Sequence, residues 1–489
     1  MDPALHHVVA LPYPGRGHVN PMLNLGWARL RFRTLPNVIP SEHNRGADYD
    51  GFLEAVFTRM EVPFEELLKR LLGEKGEGDP PVCGIISDTD LPWAVAVGNR
   101  REIPVYSLFT MSACFFSVLH HIHLIHCHGQ PLPQTLSEKR DENLDFIPGI
   151  TSLKMADICS VCSVNKSLEF ALQSLSWVNR AQCLLLTTFY ELEPRSLDAL
   201  KQKLPLPIHA VGPSIPYLAL EDKLAATVHN GSVDAASYYS WLDSQTRGSV
   251  LYVSLGSFLS VSGEQMDEIA RGQRASGVRF LWVARRDAAR MQELGGGAGL
   301  VVPWCDQLKV LCHPAVGGFL THCGWNSTLE AVYAGVPMLT LPIFLDQPLD
   351  SRLIVDEWKT GLNLKGEAAE DSRVVGREEI ARTVQRLMES EGEESKELRR
   401  RAGELKEACR RAVQVGGSSM LCLVVLVTAG AFASPGDPLV RHTKRYKAPS
   451  GGQHATVGRH TTSNLSDTKC HEWLGEQQGM AKYRVSWNR

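Results

Sequence analysis

The stretch "THCGWNSTLEAVYAGVPMLTLP", Thr321 to Pro342, packs a polar knot in front of an apolar pattern. Ser327 and Glu330 spell S-x-x-E, a capping-box signature that predicts a helix N-terminus at Ser327. Leu329, Val332 and Tyr333 follow at helical spacing. Gly335 and Pro337 stop the helix, and Met338 to Leu341 reads as a buried strand. The free amides at such a helix start form a site for an anion such as phosphate. Gly324 lets the backbone approach a ligand, and His322, Asn326 and Ser327 add donors. A well-capped helix feeding a strand explains the same residues without any ligand. Glu330 at this stage is either a capping residue or a ligand.

The rhythm on either side makes this turn one of many. Upstream, "SVLYVSLGS" is a strand, "GEQMDEIARGQRAS" a helix, and "RFLWVAR", "GLVVPWCDQ" and "AVGGFLTHCG" are strands. In the N-terminal half, "HHVVALPYP" is a strand, "GRGHVNPMLNLGWARL" a Gly-rich turn entering a helix, and "VCGIISD" a strand ending in Asp88. "LPWAVAVGNRREI" is helical, and "PVYSLFT" and "AQCLLLTTFYELE" are strands. Strand–helix alternation predicts parallel sheets with helices on both faces. The rhythm breaks between Pro213 and Tyr238, where Pro, Gly, Asn and Ser gather without a period. The expected division is an N-terminal domain (1–212), a linker (213–240), a second doubly wound domain (241–419) and a disordered tail (420–489). Ligands of such sheets sit beyond the carboxyl ends of the strands. Ser257, Trp304, Gln307, His322 and Asp346 each follow a predicted strand and converge on one rim. "GGGAG", Gly295 to Gly299, precedes a strand instead of joining strand to helix, so it reads as a flexible loop and not a dinucleotide turn.

Composition narrows the class. The 489 residues carry a formal net charge of −3, so no basic field argues for nucleic acid or an anionic membrane. "MDPALHHVVALPYPGRGH" enters a strand directly, without the basic and apolar regions of a signal peptide. The 12 cysteines are scattered in apolar or helical contexts, which suits a reducing, cytoplasmic compartment. The Cys159–Cys162 pair lacks a second pair at zinc spacing and reads as structural. The histidines of "HHIHLIHCHG" (His120, His121, His123, His126 and His128) read as a helix end in preference to a metal site. The charged run from Glu389 to Arg411 reads as a solvated helix with i,i+4 pairs.

The segment "WCDQLKVLCHPAVGGFLTHCGWNSTLEAVYAGVPMLTLPIFLDQ", Trp304 to Gln347, resembles the signature box of the plant secondary-product UDP-glycosyltransferases of glycosyltransferase family 1. "VGP" (Val211 to Pro213) and "GSVLYVSLGS" (Gly248 to Ser257) also match that family's habits, and the likeness runs from about His7 to Ser419. The resemblance implies an α/β protein of the GT-B type: two facing Rossmann-like, doubly wound domains with the active site in the cleft. It implies that Trp304, with Cys305 beside it, stacks on the uracil. Gln307 and Glu330 would bind the ribose hydroxyls. Ser257, His322, Gly324, Asn326 and Ser327 would hold the diphosphate, and Trp325, Asp346 and Gln347 would face the sugar. His18 in "PGRGHVNP" would be the general base, and Asp88 would orient it, with Asp90 a nearby competitor. The implied reaction is inverting transfer of glucose from UDP-glucose to a hydroxyl or carboxyl of a small lipophilic acceptor. The implied acceptors are phenolics, terpenoids or hormones. No metal or other cofactor is expected, no stable membrane insertion, and a monomer.

Two segments depart from the family pattern. Between Asn24 and Glu42 the chain has too few residues for a second strand; a βαβ unit takes roughly thirty. The N-terminal sheet is therefore expected to be short of a strand, and a catalytically impaired UDP-sugar-binding remnant is the alternative reading. After Ser419 the chain turns apolar in "MLCLVVLVTAGAFA", about fourteen residues, too short to cross a bilayer.

Overall fold

The computed structural model describes residues 7–428, except 26–29, 36–38, 40–47, 74–80, 128–141, 152, 163–164, 218–219, 221–232, 257–260, 286 and 366–373. Its described residues form two parallel sheets. The first contains β1 (His7–Leu11), β2 (Val82–Asp88), β3 (Val105–Phe109), β4 (Cys183–Leu186) and β5 (Ile208–Ala210), lying side by side in chain order. The second contains β6 (Val250–Ser254), β7 (Arg279–Val283), β8 (Gly299–Val302), β9 (Val316–Thr321), β10 (Met338–Thr340) and β11 (Gly361–Asn363). Its order is β11-β10-β9-β6-β7-β8, which reverses direction between β6 and β9.

That difference in order decides where the helices go. Parallel crossovers are right-handed, so a sheet that reverses direction acquires helices on both faces. In the second sheet Leu251, Val253, Phe280, Trp282, Leu320 and Leu339 pack against Ile269, Ile380, Val384 and Leu387 on one face. Val250, Tyr252, Leu281 and Phe319 pack with Leu308, Leu329 and Cys409 on the other. The described strands of the first sheet do not reverse. Their crossover helices cover one face, where Ile85 and Val105 meet Phe52, Val56, Phe64, Leu68, Ala94 and Val97. The opposite face presents Ile86, Tyr106, Leu108, Cys183 and Leu185. It is covered by Met22 from the helix Arg16–Leu23 and by Cys422 and Leu423 from the last described helix, Ser418–Thr428.

The expectation of disorder from 420 onward is thus corrected for 420–428. The apolar run "MLCLVVLVT" is a helix because it has an apolar sheet face to bury, and Ser418 Oγ donates to Glu191 Oε2 at 2.8 Å at its start. Residues 429–489 lie outside the described residues. No strand stands between β1 and β2 among the described residues; the helices Arg16–Leu23, Tyr49–Arg59 and Glu61–Gly73 do. Among those residues, the switch point of a doubly wound sheet is found in the second sheet.

Other expectations shift in detail. The helix Val233–Asp243 begins inside the segment read as linker. "GGGAG" is a helix end, a single 3-10 turn and the start of β8. Cβ atoms at Gly295 or Gly299 would lie 2.7 or 2.4 Å from the Phe280 ring, so these glycines are there for close packing. The charged run does form a solvated helix, Glu393–Val413, with Glu397 bound to Arg400 and Arg401. His120 and His121 sit on the helix Ala113–Cys127, where His120 stacks on Phe116 and His121 Nδ1 meets the Ser117 carbonyl at 2.9 Å. The side chains of His123, His126, Cys159 and Cys162, and all of His128, lie outside the described residues.

Candidate active site

The carboxyl ends of β1, β2 and β3 lie level: Leu11 pairs with Ser87, and Asp88 with Leu108. The chain leaves β1, turns through Gly15, and enters a helix whose first turn carries His18. His18 Nδ1 lies 2.9 Å from Asp88 Oδ2 and 2.9 Å from Thr110 Oγ1. Asp88 is buried at the end of β2, and its second oxygen accepts the Asp90 amide at 3.0 Å. This arrangement separates the two candidate carboxylates: Asp88 holds the imidazole, and Asp90 does not. Burial alone would lower the His18 pKa. The Asp88 carboxylate, by charge and hydrogen bond, with Asp90 and Asp346 behind it, outweighs burial and lifts it to about 9. Burial, then the neighbouring Asp88 charge, pushes the Asp90 carboxyl up to about 7. Among the described residues, the cluster with three potential metal ligands close together is His18, Asp88 and Asp90, and Nδ1 of its histidine is already held by Asp88.

The second half of the site lies at the switch point of the other sheet. β6 and β9 end in register at Ser254 and Thr321. After β9 the backbone passes through Cys323 in the left-handed region (φ 68°), which costs a non-glycine residue about 1–2 kcal/mol. Thr321 Oγ1 supports the turn by accepting the Cys323 amide at 3.0 Å. The helix then starts at Trp325 with Gly324 as its N-cap and no side-chain cap. The capping-box expectation is therefore corrected. Ser327 lies within the first turn, and Glu330 bonds to Gln307 instead of to a cap amide. The helix starts earlier than the spacing predicts because Gly324 lets the chain turn closely over His322: Cβ atoms at Gly324 and Gly256 would lie 2.5 and 2.6 Å from His322 Nε2. The first-turn amides of this helix are left without a side-chain acceptor. Burial holds His322 neutral, pushing its pKa down to about 4 against a backbone hydrogen bond with Ser254, and its Nδ1 has no partner among the described residues.

The remaining site residues divide into those on the rim and those beneath it. Trp304 follows β8 and is 58% exposed, a flat aromatic surface left open to solvent. Asn326 Nδ2 donates to the Gly17 carbonyl at 2.9 Å, so a first-turn residue of this helix touches the segment carrying His18. Asp346 is buried, with its pKa raised to about 6 by that burial, and it contributes to the field at His18. Gln347 Oε1 accepts the amides of Ile343 and Phe344 at 2.9 and 3.1 Å, which stitches its own loop and leaves the amide nitrogen for a ligand. Gln307 Nε2 donates to Glu330 Oε2 at 2.7 Å and Ser327 Oγ at 2.9 Å. Burial lifts Glu330 to about 7.

Two of the expected ligands have buried side chains. The Trp325 indole is 3% exposed and packs 6.4 Å from the Trp358 ring, so its apolar bulk lies in the core, while its buried Nε1 has no hydrogen-bond partner among the described residues. Cys305 is likewise buried, its thiol 3.3 Å from the Tyr252 hydroxyl and pushed up to about 12. Ser257 lies outside the described residues. Sequence reasoning missed Thr110 and Tyr252. Thr110 could have been found by its place, directly after the end of β3 on the rim that holds Asp88.

Two Rossmann-like sheets, with an uncapped helix start on one rim and a carboxylate-held histidine on the other, make up the GT-B architecture of nucleotide-sugar transferases. Residues 225–373 match the family model described as UDP-glucoronosyl and UDP-glucosyl transferase. UDP-glycosyltransferase 87A2 of Arabidopsis thaliana is 45% identical over 445 residues, covering 84% of this chain and 94% of the relative. The 7-deoxyloganetin glucosyltransferase of Gardenia jasminoides is 31% identical, covering 85% and 96%. Among solved structures, Medicago truncatula UGT71G1 complexed with UDP-glucose is 26% identical, with a TM-score of 0.71 over 86% of this chain and 98% of that one. A UDP-glucosyltransferase from Polygonum tinctorium capable of glucosylating indoxyl is 26% identical, with a TM-score of 0.73 over 88% and 99%. The chain belongs to the plant UDP-glycosyltransferases of glycosyltransferase family 1, and it is a glycosyltransferase. No helix among the described residues is long and apolar enough to cross a membrane.

Proposed function

We propose that this chain transfers glucose from UDP-glucose, with inversion, to a hydroxyl or carboxyl of a small lipophilic acceptor such as a phenolic, a terpenoid or a hormone. The observation that carries the proposal is the 2.9 Å bond between His18 Nδ1 and Asp88 Oδ2. It leaves Nε2 to take the acceptor proton and places a carboxylate where the imidazolium forms. As the acceptor oxygen bonds to the anomeric carbon, the bond from that carbon to the diphosphate oxygen breaks on the opposite face. The electron pair leaves with UDP. Its charge meets the first-turn amides at Trp325 to Ser327, with His322 and the Ser327 hydroxyl beside them. These groups take the place of a metal ion or other cofactor. Trp304 stacks on the uracil, Glu330 binds the ribose, and Asp346, the Gln347 amide nitrogen and the Trp325 main chain meet the sugar. We place the reaction in the cytoplasm, in a monomer whose domains divide at 1–212, 213–240 and 241–419.

A second reading has its own observation. β1 and β2 are neighbours with no intervening strand among the described residues, so an N-terminal half that has lost a strand could bind UDP-sugar without turning it over. Acceptor-dependent UDP release, measured across phenolic and terpenoid acceptors beside a UDP titration, separates the two. Turnover that disappears in His18→Ala, with UDP affinity within about twofold of the parent, establishes the first reading. UDP binding without turnover on any acceptor establishes the second. An undiminished rate in His18→Ala removes His18 as the base.

A further inference from the structure

We propose that Tyr252 is a positioning residue for the donor. Its hydroxyl fixes which way the Gln307 amide faces, and so aims Glu330 at the ribose diol. The inference rests on the ribose role proposed above for Glu330. Tyr252 lies in β6, fully buried, paired in register with Phe319 and stacked on it at 5.0 Å and 27°. A ring held in that way cannot swing its hydroxyl elsewhere. The hydroxyl lies 3.1 Å from Gln307 Oε1 and 3.3 Å from Cys305 Sγ.

The donors then sort themselves. An amide oxygen only accepts, so the single Tyr252 proton goes to Gln307 Oε1. The Cys305 thiol, at the same phenolic oxygen, acts as donor to it, and burial keeps that thiol protonated. With its oxygen end taken, Gln307 must present its nitrogen to the other side. There it spends one hydrogen on Ser327 Oγ at 2.9 Å and one on Glu330 Oε2 at 2.7 Å. The chain runs in one direction: Cys305 to Tyr252, Tyr252 to Gln307, Gln307 to Glu330. A flipped amide would set its oxygen against the ionised Glu330 carboxylate, two acceptors facing each other. Glu330 is therefore tethered by one oxygen, and the other remains for the vicinal hydroxyls. Gln307 thereby changes role: its amide nitrogen is spent inside the protein, and it serves the ribose through Glu330.

The test uses the full chain and two probes, UDP and 2′,3′-dideoxyuridine diphosphate, which lacks the diol. For Tyr252→Phe we expect UDP affinity to fall roughly five- to tenfold, the worth of one buried hydrogen bond. Affinity for the dideoxy probe should stay within about twofold, and so should kcat at saturating donor. Gln307→Met should show the same selective loss, and the double variant should be no worse than Gln307→Met alone, since Tyr252 acts through Gln307. This second variant carries the test should the buried Phe substitution fail to fold. Equal loss for both probes, or additive losses in the double variant, would overturn the inference. Glu330→Ala separates the two levels. If it leaves the preference for UDP over the dideoxy probe intact, the ribose reading fails and the inference with it. If it removes that preference while Tyr252→Phe and Gln307→Met do not, the inference alone fails.

Discussion

The two sheets of this protein are both parallel, yet they reach a two-faced core by different routes. The second reverses direction between β6 and β9, so its own crossovers cover both faces and open a crevice at the reversal. The helix start at Trp325 lies beside that crevice, with no side-chain cap on its first turn. The described strands of the first sheet run straight from β1 to β5. One of its faces is left to Met22 and to a helix that arrives from a distant part of the chain. The comparison teaches that the proposed donor site stands on a sheet whose own crossovers cover both faces, whereas the proposed base stands on a sheet completed by a remote segment.

The sharpest way to break this contrast is at the base. In Asp88→Asn the charge that offsets burial is gone, and the ring is no longer held in one tautomer. We expect kcat to fall by about 10²-fold or more, with UDP affinity unchanged. The parent enzyme should show a pH dependence of the matching sign. The folded pKa of His18 is raised to about 9, so the ring is protonated at neutral pH, and kcat/KM should rise as pH increases toward 9. In Asp88→Asn burial outweighs what remains, and that limb should move to the acid side of 6.5. A limb that stays near 9 would remove Asp88 as its cause.

On the other rim, Trp304→Ala should weaken UDP by roughly tenfold, the scale of one aromatic–base stack, with kcat at saturation little changed. Loss of kcat without loss of affinity would contradict the platform role. Gly324→Ala should drive a Cβ against the buried His322 ring, costing about 1–3 kcal/mol in thermal unfolding together with donor affinity. The smallest effect tests the borrowed helix. Leu423→Ala removes apolar contact with the first sheet's second face, and we expect about 1–2 kcal/mol of destabilisation. Turnover should fail at lower temperature than UDP binding does, because only the base stands on that sheet. Simultaneous loss of both would show that the two halves unfold as one.

Much of the site was legible in the order of residues alone. Trp304, Gln307, His322, Asp346 and Asp88 each end or follow a strand, and strand ends of parallel sheets share a rim whatever the details of packing. The helix pattern Leu329, Val332 and Tyr333 and the Gly335 stop were also plain, and Gly335 does adopt a left-handed cap at φ 73°. What misled was local chemistry read without its neighbours. Ser327 and Glu330 carry the spacing of a capping box, but Glu330 meets Gln307 from a separate helix upstream, across the whole of β9, and no local rule sees that partner. Trp325 stands among polar residues in the sequence, yet a large apolar ring gains more from burial beside Trp358 than from a seat on the rim. The apolar run after Ser419, too short to cross a bilayer, has no use within its own window for a similar reason. Its partner is a sheet face formed by the other end of the chain.

The sequence by itself therefore determined the parallel α/β class, the donor signature and the two side chains, His18 and Asp88, that meet on the first sheet's rim. The class follows from periodicity and turn chemistry, whereas the donor signature and the pairing of His18 with Asp88 follow from the likeness to the family's sequence pattern. Only the tertiary structure decided the strand order, the helix start at Gly324, the contact of His18 with Asp88 in preference to Asp90, and the bond from Tyr252 to Gln307. Each of these depends on which surfaces are buried against which, and burial is a property of the whole chain, not of any window within it.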